Sequence, residues 1–351
     1  MSGLGGEARG EYGAKMVLAA RLTVLGSLNM DISVTVPALP APGATVLGGS
    51  ALIAPGGKGA NQAVAAARLG RSGGLAVRLV GCVGDDDFGR ALRAALRAEG
   101  VDDSGVRSVP GAPTGVAMIT VDGAGENTIA VAPGANRQVA AADAASARDR
   151  TDVLVISAEI PVPAIRTALA STGPPAGHRT IRLLNLAPAP PEAAELIALR
   201  PDWLVVNESE AAAILDRPVA GLAEAAKAAA DLVAAGAGNA VVTAGAAGAA
   251  YCGPQASQAS HRHADRAGND DEFAARTVPG FTVRAVDSVG TGDTFTGALA
   301  VALAAGVPPV EAVTAAAAAG AAAATRPGTQ SGMPYPADIL AVTGYPWPVT
   351  T

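Results

Sequence analysis

The segment VDSVGTGDTFTGALAVAL, residues 286–303, places a glycine-rich turn and one carboxylate at the start of a helical pattern. Gly290 and Gly292 leave the turn without side chains, so its backbone N–H groups can point at an anion beside the positive end of the helix dipole. A carboxylate here would repel a bound phosphate. Asp293 is therefore a candidate base that removes a proton from a hydroxyl during phosphoryl transfer; an ordinary capping aspartate is the alternative.

The segment APGGKGANQAVAAARLG, residues 54–70, is a second glycine-rich turn that leads into a helical pattern. It is not a P-loop, because Leu52 stands where that motif requires glycine and Gly59 stands where it requires Ser or Thr. The glycines allow the backbone to approach a ligand and deliver Lys58 and Asn61 to it. Lys58 can neutralise a phosphate or bond to a polyol, and a solvated lysine in a plain strand-to-helix turn fits equally well.

The segment GSLNMDISV, residues 26–34, alternates with a period of two and puts Asn29, Asp31 and Ser33 on one face of a strand. An amide beside a carboxylate can bind vicinal hydroxyls of a sugar, and exposed polar residues on a half-buried strand explain the pattern as well. Glu159 follows an apolar run at 152–157, where a ligand contact would lie, and a solvated loop glutamate is the alternative.

Two further turns follow predicted strands. In VVNESEAAAIL the three-residue spacing puts Asn207 and Glu210 on one face of a first helical turn, where they can orient hydrated Mg²⁺ or a phosphate. A helix cap formed by Asn207 or Ser209 is the alternative. TAGAAG, residues 243–248, is a glycine turn suited to the sugar-phosphate part of a nucleotide.

The elements that position these residues alternate between apolar strands and Ala-rich helices, which is typical of a parallel sheet covered on both faces. The predicted strands lie at 22–26, 77–84, 152–157, 180–187, 202–207 and 240–245, with another that ends at Asp287. The predicted helices are Asn61–Leu69, Phe88–Glu99, Leu222–Ala235 and Asp293–Ala305. Ligands of such sheets collect at the carboxyl ends of the strands.

Other regions of the chain differ from this alternation. Asp31–Val36 and Gly115–Ala132 show the alternating pattern of antiparallel strands half open to solvent, and predict a small sheet that forms a lid or a dimer contact. Residues 254–276 are polar and predict an inserted surface loop. Residues 1–20 predict a disordered extension before the domain at 21–345.

Composition excludes several classes of function. The 351 residues carry a net charge of −6 and 3% aromatic residues, which disfavours a nucleic-acid groove or a base-stacking surface. The uncharged stretch 232–260 is interrupted by Gly and polar residues, so no membrane span is predicted. Cys82 and Cys252 predict reduced thiols, and His178, His261 and His263 lack metal-ligand spacing.

Together these segments resemble the PfkB family of sugar kinases, from about Arg21 to about Leu340 and in matching order. The motifs that carry the resemblance are GSLNMD, PGGKGANQAVAAARLG, VGDDDFG, TGVAMITVDGAGENTI, LNLAPAP, NESEA and VDSVGTGDTFTGAL. GGKGANQA resembles the ribokinase branch in particular. The resemblance implies a three-layer α/β/α domain with a mostly parallel central sheet and a small antiparallel β lid, with lid strands from about 29–53 and 113–136.

The activity that the resemblance implies is phosphorylation of D-ribose at O5 by ATP, with Mg²⁺ and K⁺, in a homodimer paired through the lid strands. The two reduced thiols predict a cytoplasmic location. Asp293 would be the general base, and Gly290, Thr291 and Gly292 would form the anion hole. The same chemistry on 2-deoxyribose, fructose or a pseudouridine-like nucleoside is the alternative. A sugar-binding regulator that lost catalysis is a third possibility, which an intact Asp293 disfavours.

The family's binding residues carry over to this sequence as follows. Sugar contacts are expected from Asn29, Asp31, Gly57, Lys58, Asn61, Glu159 and Asp293. Nucleotide contacts are expected from Asn207, Thr243, Ala244, Gly245, Ala246, Ala247, Gly248, Gly292 and Ala317, with Glu210 acting indirectly on Mg²⁺. A K⁺ site is expected from Asp287, Val289, Ala323, Arg326, Gly328 and Gly332. Gly332 stands where the family has serine, and Ala317 where many relatives have Asn or His.

Overall fold

The computed structural model describes residues 20–124, 126–170, 179–254 and 275–349. The predicted N-terminal extension, most of the predicted loop at 254–276 and the three histidines lie outside these residues. Within them, the strands are β1 (Arg21–Leu25), β2 (Asn29–Thr35), β3 (Leu52–Gly56), β4 (Ala76–Gly84), β5 (Asp102–Val109), β6 (Gly115–Val121), β7 (Asn127–Ala132), β8 (Val153–Ser157), β9 (Ile181–Asn185), β10 (Trp203–Asn207), β11 (Ala240–Thr243), β12 (Gly248–Cys252) and β13 (Arg276–Pro279).

The α-helices of the same residues are α1 (Lys58–Gly70), α2 (Asp87–Ala98), α3 (Ala141–Ala147), α4 (Val162–Leu169), α5 (Ala193–Ile197), α6 (Glu208–Leu215), α7 (Gly221–Ala234), α8 (Thr291–Ala304), α9 (Pro309–Ala323), α10 (Thr329–Gly332) and α11 (Pro336–Thr343). Short 3₁₀ segments lie at Arg71–Gly73, Gly134–Gln138 and Gly245–Ala247. No helix of the described ranges has the length and apolarity needed to cross a bilayer.

The main sheet of the described residues has nine strands in the order β13-β12-β11-β10-β9-β8-β1-β4-β5. From β11 to β5 every pairing is parallel, and β12 and β13 add two antiparallel pairings at one edge. Two hydrophobic clusters cover its faces, one built with α1, α8 and α9 and the other with α3, α4, α5 and α7. The predicted parallel sheet with helices on both faces is confirmed.

The second sheet has four strands in the order β3-β2-β6-β7. β2 pairs with β3 and β6 pairs with β7 in antiparallel fashion, whereas the central pairing of β2 with β6 is parallel. The parallel pairing arises because the chain returns to this sheet only after passing through β4 and β5 of the main sheet. We call this second sheet the lid sheet.

The prediction of a strand ending at Asp287 is wrong. Residues 281–290 contain no strand, and the N–H groups of Val286 and Asp287 both donate to the carbonyl oxygen of Ala324, at 2.7 and 3.1 Å. The chain before α8 is thus bonded to the turn that follows α9 instead of to a neighbouring strand. A run of short apolar residues before a glycine turn occurs both in strands and in such loops, so the sequence does not distinguish them.

Helix α8 is buried on nearly all sides because it lies between α1 and α9 and over the sheet. The spacing of the apolar residues in the sequence predicts only one buried face, formed by Phe295, Ala298, Leu299, Ala302 and Leu303. Close packing against α1 needs a glycine: a β-carbon at Gly297 would stand 2.7 Å from the carbonyl oxygen of Gln62 and 2.8 Å from the β-carbon of Ala65. The site described below depends on this short distance between α1 and α8.

Gly297→Ala therefore tests the helix contact. We expect a loss of about 1–3 kcal/mol in the free energy of unfolding, because the added methyl meets backbone that cannot move aside. Gly320→Ala, in α9, is the matched control, since its β-carbon would meet the carbonyl oxygen of Thr291 at 3.4 Å and the β-carbon of Phe295 at 3.8 Å. We expect this control to be neutral or to stabilise by up to about 1 kcal/mol. Urea unfolding measures both, and equal effects would contradict the close contact.

Candidate functional site

The glycine turn before α8 has the geometry of an anion-binding helix start. Gly290 is the N-cap residue, with φ of 78° in the left-handed region that glycine tolerates, and no side chain caps the helix. The first N–H groups of α8 therefore have no intrahelical acceptor. Thr294 and Thr296 donate their hydroxyls back to the carbonyl oxygens of Gly290 and Gly292, both at 2.9 Å. Their side chains lie along the helix and leave the turn open.

Asp293 does not act as the cap that the alternative interpretation required. Its side chain is buried, with the residue 7% exposed, and points towards α1. The side-chain amide of Asn61 donates to Asp293 Oδ2 at 2.9 Å, and that of Gln62 donates to Asp293 Oδ1 at 3.1 Å. We call these two side chains the amide clamp. A buried carboxylate needs such donors, because burial without them is costly.

The amide clamp is itself held from both ends. Gln330, on α10, donates to Asn61 Oδ1 at 3.1 Å. Gln62 Nε2 also donates to Asn185 Oδ1 at 2.9 Å, and Asn185 donates to the carbonyl oxygen of Val205 at 3.1 Å. A continuous row of hydrogen bonds thus joins α10, α1, α8, the end of β9 and the middle of β10.

A cavity of about 430 Å³ opens in front of Asp293. It is lined at one side by the glycine turn and at the other by the ends of β9, β10 and β11 with the start of α6. The expected site residues among its lining are Lys58, Asn207, Glu210, Thr243, Gly245, Gly290, Thr291, Gly292 and Asp293. The cavity therefore lies at the carboxyl ends of the parallel strands, as the sequence predicted.

Charges converge on the residues around Asp293. The Asp293 carboxylate raises the pKa of Lys58 although burial opposes this, and Glu159, Glu210 and Asp31 add to the increase. Burial raises the pKa of Glu210, against the lowering effect of the Asn207 N–H and Lys58. Lys58 therefore remains a cation at neutral pH and is surrounded by carboxylates.

Asp31 lies on the lid-sheet side of the same region. Burial, together with the charges of Glu159 and Asp293, raises the pKa of Asp31 to about 7, although Lys58 works in the opposite direction. A β-carbon at Gly56 would stand 2.0 Å from Asp31 Oδ2, so the carboxyl group lies directly against the backbone of β3. This carboxyl group needs hydrogen-bond donors, which a polyol can supply.

The amide orientation of Asn29 is fixed by Asn136. Asn136 accepts the N–H of Leu28 at 2.9 Å and donates to the carbonyl oxygen of Leu28 at 3.0 Å, so the backbone determines which of its amide atoms is nitrogen. The same nitrogen donates to Asn29 Oδ1 at 2.8 Å. Asn29, only 2% exposed, therefore keeps its own Nδ2 as the group that can donate to a ligand.

Glu159 is not the solvated loop residue of the alternative interpretation. Its Oε2 accepts the hydroxyl of Ser27 at 2.5 Å and the backbone N–H of Lys58 at 3.2 Å. Glu159 thereby joins the end of β1, the end of β8 and the start of α1. Gly57, the N-cap residue of α1 with φ of 88°, packs against the backbone of Leu28 and Asn29. These contacts fix the position of Lys58.

Asn207 and Glu210 form a reciprocal cap at the start of α6. The N–H of Glu210 donates to Asn207 Oδ1 and the N–H of Asn207 donates to Glu210 Oε2, both at 2.8 Å. The same two side chains also line the cavity. The helix cap and the ligand-binding position, predicted as alternatives, are therefore compatible. This cap uses one carboxylate oxygen of Glu210, Oε2.

The other residues expected to bind the nucleotide fall into two groups: those at and after the end of β11, at the cavity, and Ala317, which lies away from it. Thr243 and Gly245 line the cavity, Ala244, Ala246 and Ala247 belong to the same turn between β11 and β12, and Gly248 is the first residue of β12. Gly248, with φ of 114°, lies against the carbonyl oxygen of Val278 and the N–H of Gly280. Ala317 is buried on α9 and is not part of the cavity lining.

The expected K⁺ residues bring carbonyl oxygens together. The carbonyl oxygens of Arg326, Pro327 and Ala323 lie 3.1, 3.5 and 3.6 Å from the place that a β-carbon would take at Gly332. Asp287 accepts the N–H groups of Val289 and Gly328, each at 2.9 Å, which ties this segment to the turn before α8. The Arg326 side chain pairs with Asp338, so only its carbonyl can serve. Carbonyl and carboxylate oxygens fit a hard monovalent cation.

A metal site made only of protein side chains is absent from the described ranges, where no group of three or more His, Cys, Asp or Glu is placed to hold an ion. Mg²⁺ commonly keeps several waters and binds through one or two carboxylates and the substrate's phosphates. Glu210, at the edge of the cavity, fits this kind of partial ligand set.

Sequence reasoning missed four residues that hold the site, namely Gln62, Asn136, Asn185 and Gln330. Gln62 carried a detectable signal, because a polar side chain follows Asn61 in a helix that is otherwise mostly Ala and Val. Asn185 ends a strand inside LNLAPAP. Asn136 and Gln330 carried no signal in the sequence, since their partners are 107 and 269 residues distant along the chain.

Comparison with known proteins gives a consistent result. Residues 19–336 match the family described as "pfkB family carbohydrate kinase". The ribokinase of Haemophilus influenzae is 34% identical over 316 residues, which cover 89% of this chain and 95% of that protein. The crystal structure of ribokinase from Thermotoga maritima has a TM-score of 0.75 and 32% identity, covering 92% of this chain and 98% of that one. Arabidopsis thaliana ribokinase complexed with ribose and ATP has a TM-score of 0.73 and 27% identity, with coverage of 92% and 98%.

The raised pKa of Asp31 predicts a stability effect that depends on pH. An unfolded aspartate loses its proton near pH 4, whereas folded Asp31 holds it to about pH 7, so the wild-type fold loses stability as the pH rises through this interval. Asp31→Asn removes the penalty. We expect the variant to gain about 1–3 kcal/mol over the wild type at pH 8 and much less at pH 4.5, measured by urea unfolding.

Asp202→Asn is the control, for which we expect the opposite change in the free energy of unfolding. Burial acts against the ionised form of Asp202, but hydrogen bonds from Arg182 and Arg179 outweigh it and lower the pKa of this carboxyl. We expect the control to lose stability at pH 8. An equal effect of Asp31→Asn at both pH values would contradict the raised pKa of the Asp31 carboxyl group.

Proposed function

Because the chain belongs to the PfkB family of carbohydrate kinases and is thus a phosphotransferase acting on a sugar, we propose that it transfers the γ-phosphoryl group of ATP to O5 of D-ribose. The product is D-ribose 5-phosphate. The named relatives support ribose as the acceptor, and the relative solved with ribose and ATP supports the same pair of substrates here.

The observation that carries this proposal is the position of Asp293. Its buried carboxylate lies in the first turn of α8, directly after the open N–H groups of the glycine turn, and between the cavity and the lid-sheet side. A hydroxyl placed against Asp293 would therefore also lie next to a phosphoryl group held by the turn. Asp293 removes the hydroxyl proton as the oxygen attacks in line. The N–H groups at Gly290–Gly292 stabilise charge on the transferred group.

The sugar is held on the lid-sheet side in this proposal. Asn29 offers an amide donor because its oxygen is taken by Asn136, and Asp31 offers acceptor oxygens. Two neighbouring sugar hydroxyls match these two side chains: one accepts a hydrogen bond from Asn29, and the other donates one to Asp31. Glu159 and Gly57 act on the same side by holding the start of α1, which carries Lys58. Lys58, whose charge faces both Asp31 and Asp293, neutralises the phosphoryl group as it moves.

The nucleotide occupies the cavity, with its phosphates towards the glycine turn and its ribose near Thr243 and Gly245. Asn207 and Glu210 lie at the phosphate end, where Glu210 would hold Mg²⁺ indirectly through water. Mg²⁺, when bound with ATP, neutralises the phosphate oxygens. Because Ala317 is set back from the cavity lining, a small side chain there leaves the adenine without a polar contact from α9.

We also propose that K⁺ binds among the carbonyl oxygens around Gly332 and Asp287. The proposal rests on the converging carbonyls and on the bonds by which Asp287 joins this segment to the turn before α8. The role of the ion would be to order the turn. With glycine at 332 the site has no hydroxyl ligand from that position.

The lid sheet supports a further part of the proposal, a homodimer paired through this sheet. Ile53 and Met118 occupy one cross-strand row with Ile32 and are 55% and 60% exposed. A monomer would leave this apolar row in water, and a second copy of the sheet would cover it. A cytoplasmic location is proposed from the reduced thiols of Cys82 and Cys252.

A direct test is ADP release by the purified protein with Mg²⁺-ATP and K⁺, across ribose, 2-deoxyribose, fructose, adenosine and pseudouridine. We expect the highest kcat/KM for ribose. A preference for another acceptor would keep the fold and the phosphoryl transfer but reject ribose as the substrate. No turnover on any acceptor, with ribose still bound in calorimetry, would indicate a regulator.

The role of Asp293 is tested by Asp293→Asn. We expect kcat to fall by about 10²–10⁴-fold, as is typical when a general base is lost, with ribose affinity changed only a few-fold. Glu224→Gln, which alters an exposed carboxylate on α7, is the control and should retain wild-type turnover. Turnover of Asp293→Asn at the level of the control would exclude Asp293 as the base.

A further inference from the structure

Gln62 has features that packing alone does not explain. It is fully buried on α1, where its neighbours along the helix are mainly Ala and Val. Its Oε1 atom is buried and without a hydrogen-bond partner, one of only a few such side-chain atoms in the part of the chain that the structure describes. An apolar side chain of the same length would fill the space without that cost.

The orientation of the Gln62 amide is determined by backbone. Asn185 donates through Nδ2 to the carbonyl oxygen of Val205, a group that can only accept, so Asn185 Oδ1 must face Gln62. Gln62 must therefore present its nitrogen, and this nitrogen donates one hydrogen to Asn185 and the other to Asp293 Oδ1. Turning the amide over would place Oε1 against two acceptors. The unpartnered Oε1 is thus the consequence of aiming both hydrogens at defined targets.

We propose that Gln62 is a positioning residue that fixes the Asp293 carboxylate for proton removal, an inference that rests on the proposed function of Asp293. Asn61 holds Oδ2 from one side and Gln62 holds Oδ1 from the other, so the carboxylate plane cannot rotate about its Cβ–Cγ bond without breaking a bond. A lone pair of the carboxylate is then kept towards the cavity. Gln62 touches no substrate in this proposal and acts only through Asp293.

Gln62→Met tests the proposal by removing the donor and keeping the length of the side chain. We expect kcat to fall by about 10–100-fold, because small errors in the position of a reacting group are costly, while KM for ribose and ATP changes less than about threefold. The readout that isolates positioning is the double variant. In the Asp293→Asn background, Gln62→Met should lower turnover by less than about twofold, since there is no base left to misplace.

Two kinetic outcomes would overturn the inference. Wild-type kcat in Gln62→Met would show that the bond to Asp293 does not matter for turnover. A similar fold-loss in both backgrounds would show that Gln62 acts elsewhere. These failures differ from failure of the proposed function, which would appear as normal turnover in Asp293→Asn alone.

A second pair of variants keeps the inference testable if Gln62→Met does not fold. Gln62→Glu puts acceptors against Asp293 and Asn185, and we expect lower thermal stability and at least a 10-fold lower kcat. Combining it with Asp293→Asn reverses the pair, since an amide at 293 can donate to the carboxylate at 62. The double variant should recover part of the lost thermal stability without recovering turnover, because the carboxylate at 62 still faces Asn185 Oδ1. No recovery of stability would show that the two side chains are not in contact.

Discussion

The structure depends on burying one carboxylate, that of Asp293, between two helices. A carboxylate in this position is tolerable only if donors reach both of its oxygens, and Asn61 and Gln62 on α1 supply them. The donors reach it because Gly297 and the alanines of α1 and α8 let the helices approach closely. The low aromatic content of the chain is consistent with this thin packing, since bulky side chains would separate the helices.

Helix α1, which carries the amide clamp, also contacts the other parts of the site. At its start, the Lys58 N–H bonds to Glu159, which joins α1 to the ends of β1 and β8 and orients Lys58. Next to it, Gly57 packs on Leu28 and Asn29, so the strand that bears Asn29 and Asp31 is held against α1. In the proposed mechanism, one rigid element therefore sets the position of the sugar on the lid-sheet side and the position of the base. Proton removal by Asp293 would need that precision.

The segment around α10 reaches Asp293 by two routes. Gln330 bonds to Asn61, and Asp287 joins the loop at Gly328 to the turn that begins α8. A cation among the nearby carbonyl groups would therefore stabilise both the amide clamp and the glycine turn before α8. In the proposed kinase this would connect ion binding to turnover through contacts within the protein, without any contact between the ion and the sugar.

The sequence alone determined the alternation of strands and helices, the glycine turns and the side chains that follow them, because these are local patterns. It also identified Asp293, Lys58 and Glu210 by residue type and spacing, and the family motifs extended this list. It did not determine that Asp293 faces α1, that Glu159 bonds to Ser27, or that no strand precedes Asp287. These features rest on contacts between residues far apart in the chain, such as Gln62 with Asp293 and Asn136 with Asn29. Only the folded structure decides them, because a hydrogen bond depends on a few tenths of an ångström and on amide orientation, and a local pattern carries neither.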